Sequence, residues 1–360
     1  MTTCWAAVSR HPDRPPTIEE IVLRQPRPGE ILVRTARAGI CGTDLHFAAG
    51  MFPYPFPAVL GHEASGVVET IGDGVRDVQP GDRVIVCDQT FCGRCAACIA
   101  GAMVYCTDTG PKQRRRDRIQ LNGKPIRQYL GVSAFAEMML VDEHAVIPVP
   151  HELSFDAAAL LACCLTTGMA TVLNIARPAA GSSIAIFGCG GVGLGAVQAA
   201  RLSGAARIIA IDLKDHRLAT AIQLGATDTI NAACDDPIEA VLARAHGGVH
   251  RAIEAVGLPE TAAAAFAVLA PSGHATVLGM LPPDTDVVLP GRLLRQGRTI
   301  GGAVMGNVRT RLDIPRYVDL VVTGQLRADE LATSHHPLDK IETALHEARI
   351  RRGVRAMITF

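Results

Sequence analysis

Aromatic side chains are scarce in this 360-residue sequence: they make up 4% of it, with one tryptophan. That excludes a broad stacking platform for single-stranded nucleic acid. An excess of charge of one sign is lacking too, since 35 Lys and Arg balance 35 Asp and Glu and the pI is near 7.2. A general nucleic-acid binder would need a basic footprint that is absent here. Long apolar runs are also missing. The charge-free stretches 157–176 and 178–200 are interrupted by Thr166, Thr167 and Gly168 or are dense in glycine, so each reads as buried core rather than a membrane span. The opening MTTCWAAVSRHPDRPP brings in charges and prolines before an apolar signal core could form, which sets the expectation of a cytoplasmic protein. What remains is a globular mix, 48% hydrophobic and 19% charged, long enough for two domains and suited to a small-molecule partner.

Cysteine, by contrast, is plentiful. Eleven of them, an odd number with no signal peptide, argue against a secreted disulfide framework. Cys92, Cys95, Cys98 and Cys106 form a C-x2-C-x2-C-x7-C cluster. One loop can present such closely spaced thiolates to a tetrahedral zinc ion, and this reading is favoured over an iron–sulfur cluster. A DNA-reading zinc finger is disfavoured, because the only basic feature that follows is the short run Arg114-Arg115-Arg116.

The chain changes character along its length. Up to about residue 150 it is rich in Gly and Pro, with short β-like runs at 31–34, 66–71 and 83–87. From about 157 to 301 strands alternate with helices, predicting a parallel sheet covered on both faces. The last 55 or so residues show one good helix, 338–349, and a final strand at 354–360. The predicted strand 183–187 runs into Gly188-Cys189-Gly190-Gly191-Val192-Gly193 and then into a helix, and Asp212 closes the next strand, 19 residues beyond Gly193. Glycines in that context let backbone approach a pyrophosphate at the helix N-terminus. A carboxylate at 212 would accept from both ribose hydroxyls and repel a 2′-phosphate, so NAD is expected in preference to NADP. Cys41, in GICGTDLH (39–46), and His62, in GHE (61–63), fit a second zinc site that needs a third ligand.

The run GHEASGVVETIGDGV (61–75) resembles the G-H-E-x2-G-x5-G-x2-V signature of zinc-containing medium-chain alcohol dehydrogenases. The resemblance covers the whole chain, including the cysteine lobe, the GCGGVG turn and the ending RAMITF. It implies an α/β protein: a Rossmann-type doubly wound coenzyme domain (161–301) beside a β-rich GroES-like catalytic domain (1–160) with a structural-zinc lobe (92–106), to which 302–360 returns. The implied catalytic zinc ligands are Cys41, His62 and Cys163. Cys163 is placed by register with the family's G-C-G-x-x-T-G, and Cys164, standing where the family has glycine, is the alternative. Asp44 resembles the carboxylate that orients His62, Glu63 the acidic neighbour behind the zinc, and Thr43 and His46 the protein members of a proton relay. Arg355 resembles a pyrophosphate-pairing Arg and Arg217 the base near the adenosine ribose, and Thr167 falls in the cofactor set with Gly188, Gly190, Gly191, Val192, Gly193 and Asp212. Gly42 stands where some relatives carry a second pyrophosphate base.

The resemblance also puts Phe52, Asp88, Tyr129, Leu130 and Met280 around the substrate, with Asp88 standing where an apolar or hydroxyl residue is usual. The implied activity is reversible hydride transfer between a primary, bulky, benzylic or terpenoid alcohol and NAD, with two Zn²⁺ per chain. Relatives with the same motifs include nicotinoproteins, which keep NAD(H) bound, and glutathione-adduct formaldehyde dehydrogenases. Residues 286–301 resemble the edge strand through which coenzyme domains pair, implying a homodimer or a dimer of dimers.

Overall fold

The computed structural model describes residues 1–108, 110 and 117–360, so the Arg114–Arg116 run lies outside the described residues. Two compact units emerge, Met1–Cys163 with Arg309–Phe360, and Cys164–Val308. The sequence reading sets the changeovers after 160 and 301; the units change after 163 and 308. The later changeover follows from packing: a Cβ on Gly306 would lie 2.3 Å from the Thr171 backbone nitrogen, so the Met305–Asn307 turn is pressed onto its own unit.

The first unit is β-rich, as its Gly- and Pro-punctuated sequence predicts. Its central strand, Glu30–Gly39, carries EILVRTARAG with most side chains buried. It pairs antiparallel with Glu63–Ile71, Met138–Asp142 and Arg355–Thr359 in a seven-stranded sheet. A six-stranded sheet is built around Thr2–Ser9 and Thr17–Leu23. Val8, Ile21, Ile31, Val33, Phe135, Leu140 and Ile358 share one apolar core. A charged group lies buried within this unit. Glu30 and Arg118 have side chains with no exposure, and their Oε1 and Nε are 2.9 Å apart. Arg24 approaches the same carboxylate at 2.5 Å, and Arg118 Nη1 donates to Gln128 Oε1 at 3.1 Å. Gln128 in turn donates to the carbonyls of Val132 and Leu140, fixing the turn that begins at Tyr129.

One expectation needs correction here: the C-terminal stretch holds a second long helix, Thr310–Val322. Pro315 inside it reads as a breaker in sequence. The helix forms nevertheless, with Ile314, Tyr317 and Val318 buried on its inner face and the Asp313 carboxylate accepting from the Arg309 backbone N–H at its start.

The second unit alternates strand and helix. Its strands are β1 (Ser183–Phe187), β2 (Arg207–Asp212), β3 (Asp228–Asn231), β4 (Val249–Glu254), β5 (Leu269–Val277) and β6 (Thr299–Gly302). All pairings are parallel, in the order 3-2-1-4-5-6. Ile209, Ile211, Ala252, Phe266 and Leu269 are buried between sheet and helices, which is why these strands read as apolar runs rather than alternations. Local chemistry starts the helices: Asp236 accepts from the Ile238 and Glu239 N–H groups, with Pro237 at the first helical position. Residues 286–301 do not form one continuous strand. Gly291–Leu294 is a short helix, and the edge strand proper is β6. Pro290 at the cap of that helix ends the extended run, leaving Val288 81% exposed.

Among the described residues no single helix is long and apolar enough to cross a membrane. The apolar helices Phe155–Ala162 and Cys164–Ala170 are almost wholly buried, as core segments should be.

Candidate metal and dinucleotide sites

Three elements of the first unit bring Cys41, His62 and Cys163 together. Cys41 is the N-cap of the helix Gly42–Ala48, His62 directly precedes the strand Glu63–Ile71, and Cys163 ends the helix Phe155–Ala162. Their donor atoms all lie within 4.8 Å of one another, and Cys163 Sγ is 3.4 Å from His62 Nε2. Asp44 holds the trio in place: one oxygen sits 2.9 Å from His62 Nδ1 and accepts from the Gly61 N–H, while the other accepts from the Cys41 N–H at 2.9 Å. That arrangement fixes the imidazole so that Nε2 faces the two sulfurs. Cys163, and not Cys164, is the cysteine of this cluster.

Protonation of the trio is tightly linked. A hydrogen bond from Cys163 holds the Cys41 thiol well below its usual range despite burial, with help from Arg355 and His62. Cys163 is raised by giving that bond and by burial. Burial opposes charge on His62, yet Asp44 and Cys41 hold its ring well above the ordinary value. Two thiols and an imidazole that share protons in this way offer a soft donor set, two sulfurs and one nitrogen, in which a zinc ion would displace those protons.

Around the trio, Thr43 Oγ1 lies 3.8 Å from Cys41 Sγ. His46 is half-buried and held below its usual value by burial, with Arg351 adding to this and Cys41 opposing it. No direct hydrogen bond joins Thr43 and His46 among the described residues. Glu63 is buried, and the Arg355 Nε lies 3.3 Å from its Oε1 while Arg355 Nη1 donates to the Ile40 carbonyl at 2.7 Å. In this structure the Arg355 guanidinium therefore rests on Glu63 and Ile40.

The scarce aromatics converge here. Tyr129 meets His62 edge-on at 5.9 Å between ring centroids, and Phe47 and Tyr54 at 5.2 and 5.4 Å. Phe52 stacks on Phe47 at 5.5 Å and stands 6.2 Å from His46. Three of nine phenylalanines and two of four tyrosines (Phe47, Phe52, Tyr54, Phe56, Tyr129) thus form one cluster beside the trio. Phe47 and Tyr54 are missing from the sequence-derived set, although the density of rings in FAAGMFPYPF (47–56) signals them. Leu130 follows Tyr129 in a left-handed conformation, φ 48°. Asp88 is close enough for its charge to push the Cys163 thiol and the Tyr129 hydroxyl upward. Met280 belongs to the second unit, where its backbone packs against Gly257.

The four lobe cysteines also come together. Their sulfurs lie within 4.8 Å of one another, Cys95 and Cys98 being 3.5 Å apart. Backbone N–H groups of Cys95, Arg94 and Cys92 point at sulfur. Hydrogen bonds from the Cys98 and Thr107 backbone lower Cys95 to about 6, against the pull of burial. The N–H donors and the tetrad fit a structural zinc.

In the second unit the turn after β1 leads into the helix Gly191–Leu202, with Gly190 as its N-cap. A Cβ on Gly193 would sit 1.7 Å from the Gly188 carbonyl oxygen, so the tight turn requires glycine there. Asp212 ends β2 and reaches this turn: its Oδ2 accepts from Cys189 N–H at 2.7 Å, and its Oδ1 from Leu213 and Lys214 N–H. The Arg217 guanidinium lies 3.9 Å from where a Gly190 Cβ would be. Thr167 is buried on the helix Cys164–Ala170, its carbonyl accepting from Thr171 Oγ1.

Comparison with known proteins agrees with this geometry. The alcohol dehydrogenase GroES-like domain matches residues 27–151, and the zinc-binding dehydrogenase domain matches 191–323. The structure superposes on an alcohol dehydrogenase zinc-binding domain protein from Burkholderia ambifaria with TM-score 0.94 and 34% identity, covering 100% of this chain and 99% of that one. For benzyl alcohol dehydrogenase from Acinetobacter calcoaceticus the values are 0.93 and 32%, over 100% of both chains. The chain belongs to the medium-chain dehydrogenase/reductase family. This dehydrogenase is also similar to a zinc-binding-dehydrogenase-like protein from Sinorhizobium meliloti bound to NADP, with TM-score 0.85 and 27% identity over 100% of both chains.

Proposed function

We propose that this dehydrogenase is an NAD-dependent zinc alcohol dehydrogenase that interconverts a primary, benzylic or similarly bulky alcohol and its aldehyde. The observation that carries the reading is the Cys41–His62–Cys163 trio with Asp44 behind the histidine. The aromatic cluster beside it, and a benzyl alcohol dehydrogenase among its structural relatives, support the substrate class.

Cys41, His62 and Cys163 would hold one zinc ion, and Cys92, Cys95, Cys98 and Cys106 a second. The chemistry supplied by zinc at the first set is Lewis-acid activation of an alcohol oxygen, and that supplied by the dinucleotide is acceptance of hydride. The chain's own residues do the rest. Asp44 fixes the tautomer and direction of His62. Thr43 stands beside Cys41, where its hydroxyl can accept a substrate hydroxyl proton as it releases its own, and His46, kept neutral near pH 7 by partial burial, can accept a released proton nearer solvent. Phe52, partly exposed, offers a ring to an apolar substrate body, while the fully buried Tyr129 packs behind it on Phe47 and against His62. Gly188–Gly193 would receive the pyrophosphate, and Asp212, which already accepts from three backbone N–H groups, keeps about one further lone pair, on Oδ2, for a ribose hydroxyl.

Elemental analysis of protein purified without chelators is expected to find two zinc ions per chain; one or none overturns the metal reading. A panel of alcohols assayed with NAD⁺ and NADP⁺ tests the remainder. Benzylic primary alcohols with NAD⁺ are expected to give the highest kcat/KM. Equal use of NADP⁺ would overturn the role given to Asp212, and a preference for small secondary alcohols would overturn the substrate class.

A further inference from the structure

Glu254, absent from every motif above, is the last residue of β4 and has no exposed surface. Its Oε1 accepts from the Val256 and Gly257 N–H groups, both at 2.8 Å, and lies 2.7 Å from Thr261 Oγ1. Its Oε2 is buried with no partner among the described residues. Two backbone N–H groups and the Thr261 hydroxyl thus crowd Oε1, while Oε2 is left with none. An unpaired buried carboxylate oxygen is costly enough to need a reason.

Topology supplies one. Glu254 is in register with Phe187, the last residue of β1, and with Val277, the last residue of β5. It therefore stands on the carboxyl rim of the sheet, beside the glycine turn that follows β1 and the loop Leu278–Met280 that follows β5. The loops are in close contact: a Cβ on Gly188 would meet Val256 Cγ2 at 2.8 Å, and one on Gly279 would lie 2.0 Å from the Gly257 nitrogen and 2.7 Å from Glu254 Oε2. A dinucleotide with its pyrophosphate over β1 and its adenosine ribose at Asp212, on the β2 side, must lay its other half over β4 and β5. Glu254 lies beneath that half. Accepting the dinucleotide reading above, we propose that Glu254 sets the enzyme's preference between cofactor oxidation states: its buried, under-compensated charge favours the cationic oxidised nicotinamide over the neutral reduced ring.

Calorimetric titration of the intact protein with NAD⁺, NADH and ADP-ribose, which lacks nicotinamide, tests this in the parent, Glu254→Gln and Thr261→Val. Glu254→Gln is expected to shift the ratio of NAD⁺ to NADH affinity about tenfold toward NADH, with ADP-ribose affinity kept within about twofold. Thr261→Val takes a donor from the carboxylate and keeps its charge, so the ratio is expected to move toward NAD⁺. A merely structural role would weaken all three ligands in step, and that result, or an unmoved ratio, overturns the proposal. If Glu254→Gln does not fold, Thr261→Val decides alone on the same criterion. A parent that binds ADP-ribose but neither dinucleotide overturns the dinucleotide reading itself, and this is seen before any variant is made.

Discussion

Cys41→Ser is expected to lower kcat/KM by ~10³-fold or more, since even partners behind a metal ligand are worth 10–100-fold. Serine keeps the size of the side chain, and the backbone N–H of residue 41 keeps its bond to Asp44. What is lost is a soft, readily ionised sulfur from the trio. The helix Gly42–Ala48 should stay in place, so thermal unfolding followed by circular dichroism should move by only a few degrees. Cys98→Ser should behave in the opposite way. A structural zinc contributes folding free energy directly, so that variant should lose stability ahead of chemistry. A Cys41→Ser enzyme that retains half its activity would remove the trio from the mechanism.

Glu30→Ala should destabilise the first unit by about 3–5 kcal/mol, because it removes the carboxylate that the buried Arg118 and Arg24 share. Urea unfolding measures this directly, and a loss below ~1 kcal/mol would mean that the group is replaceable. The same carboxylate predicts an acid dependence. Burial alone pushes Glu30 up, but Arg24, Arg118 and the Arg27 N–H outweigh it and hold the group below its ordinary value. A depressed folded value contributes stability above the unfolded pKa of about 4.3, and that stability is lost as pH falls through the folded value. The parent should shed this share of its stability in that acid range. Glu30→Ala, which lacks the group, should not.

Residues that answer to local rules were legible in the sequence. The four lobe cysteines lie within 15 positions of chain, so spacing alone brings their sulfurs together. Gly193 and Asp212 are tied to the strand–turn–helix unit that contains them, and the apolar runs of β1, β2 and β4 match strands in the structure. Cys41, His62 and Cys163 are spread over more than a third of the chain; the residues themselves suggested pairing Cys41 with His62, and only the resemblance added Cys163. What could not be read depends on tertiary context. Pro315 suggests a helix break, yet packing of Ile314, Tyr317 and Val318 outweighs the missing hydrogen bond. Val287-Val288-Leu289 has strand composition, but no neighbouring strand among the described residues pairs with it. Arg118 looks like any loop arginine until the fold closes over it, and Glu254 like any strand-end acid until β1 and β5 arrive on either side.

The strand Arg355–Thr359 sits inside its sheet, between Glu30–Gly39 and Ala332–Pro337, and the Arg355 guanidinium bonds to the Ile40 carbonyl 315 positions away. On the ribosome this separation becomes a delay. At about 5–20 residues per second, the strand Glu30–Gly39 waits roughly 15–60 s for its last neighbour to be synthesised. Residues 164–308, being contiguous, can fold and leave the exit tunnel in the meantime. The nascent chain therefore carries an open, apolar sheet edge beside an already finished unit. Shielding of that edge by holdase chaperones, and the speed at which the final codons are read, should govern how much of the newly made protein escapes aggregation.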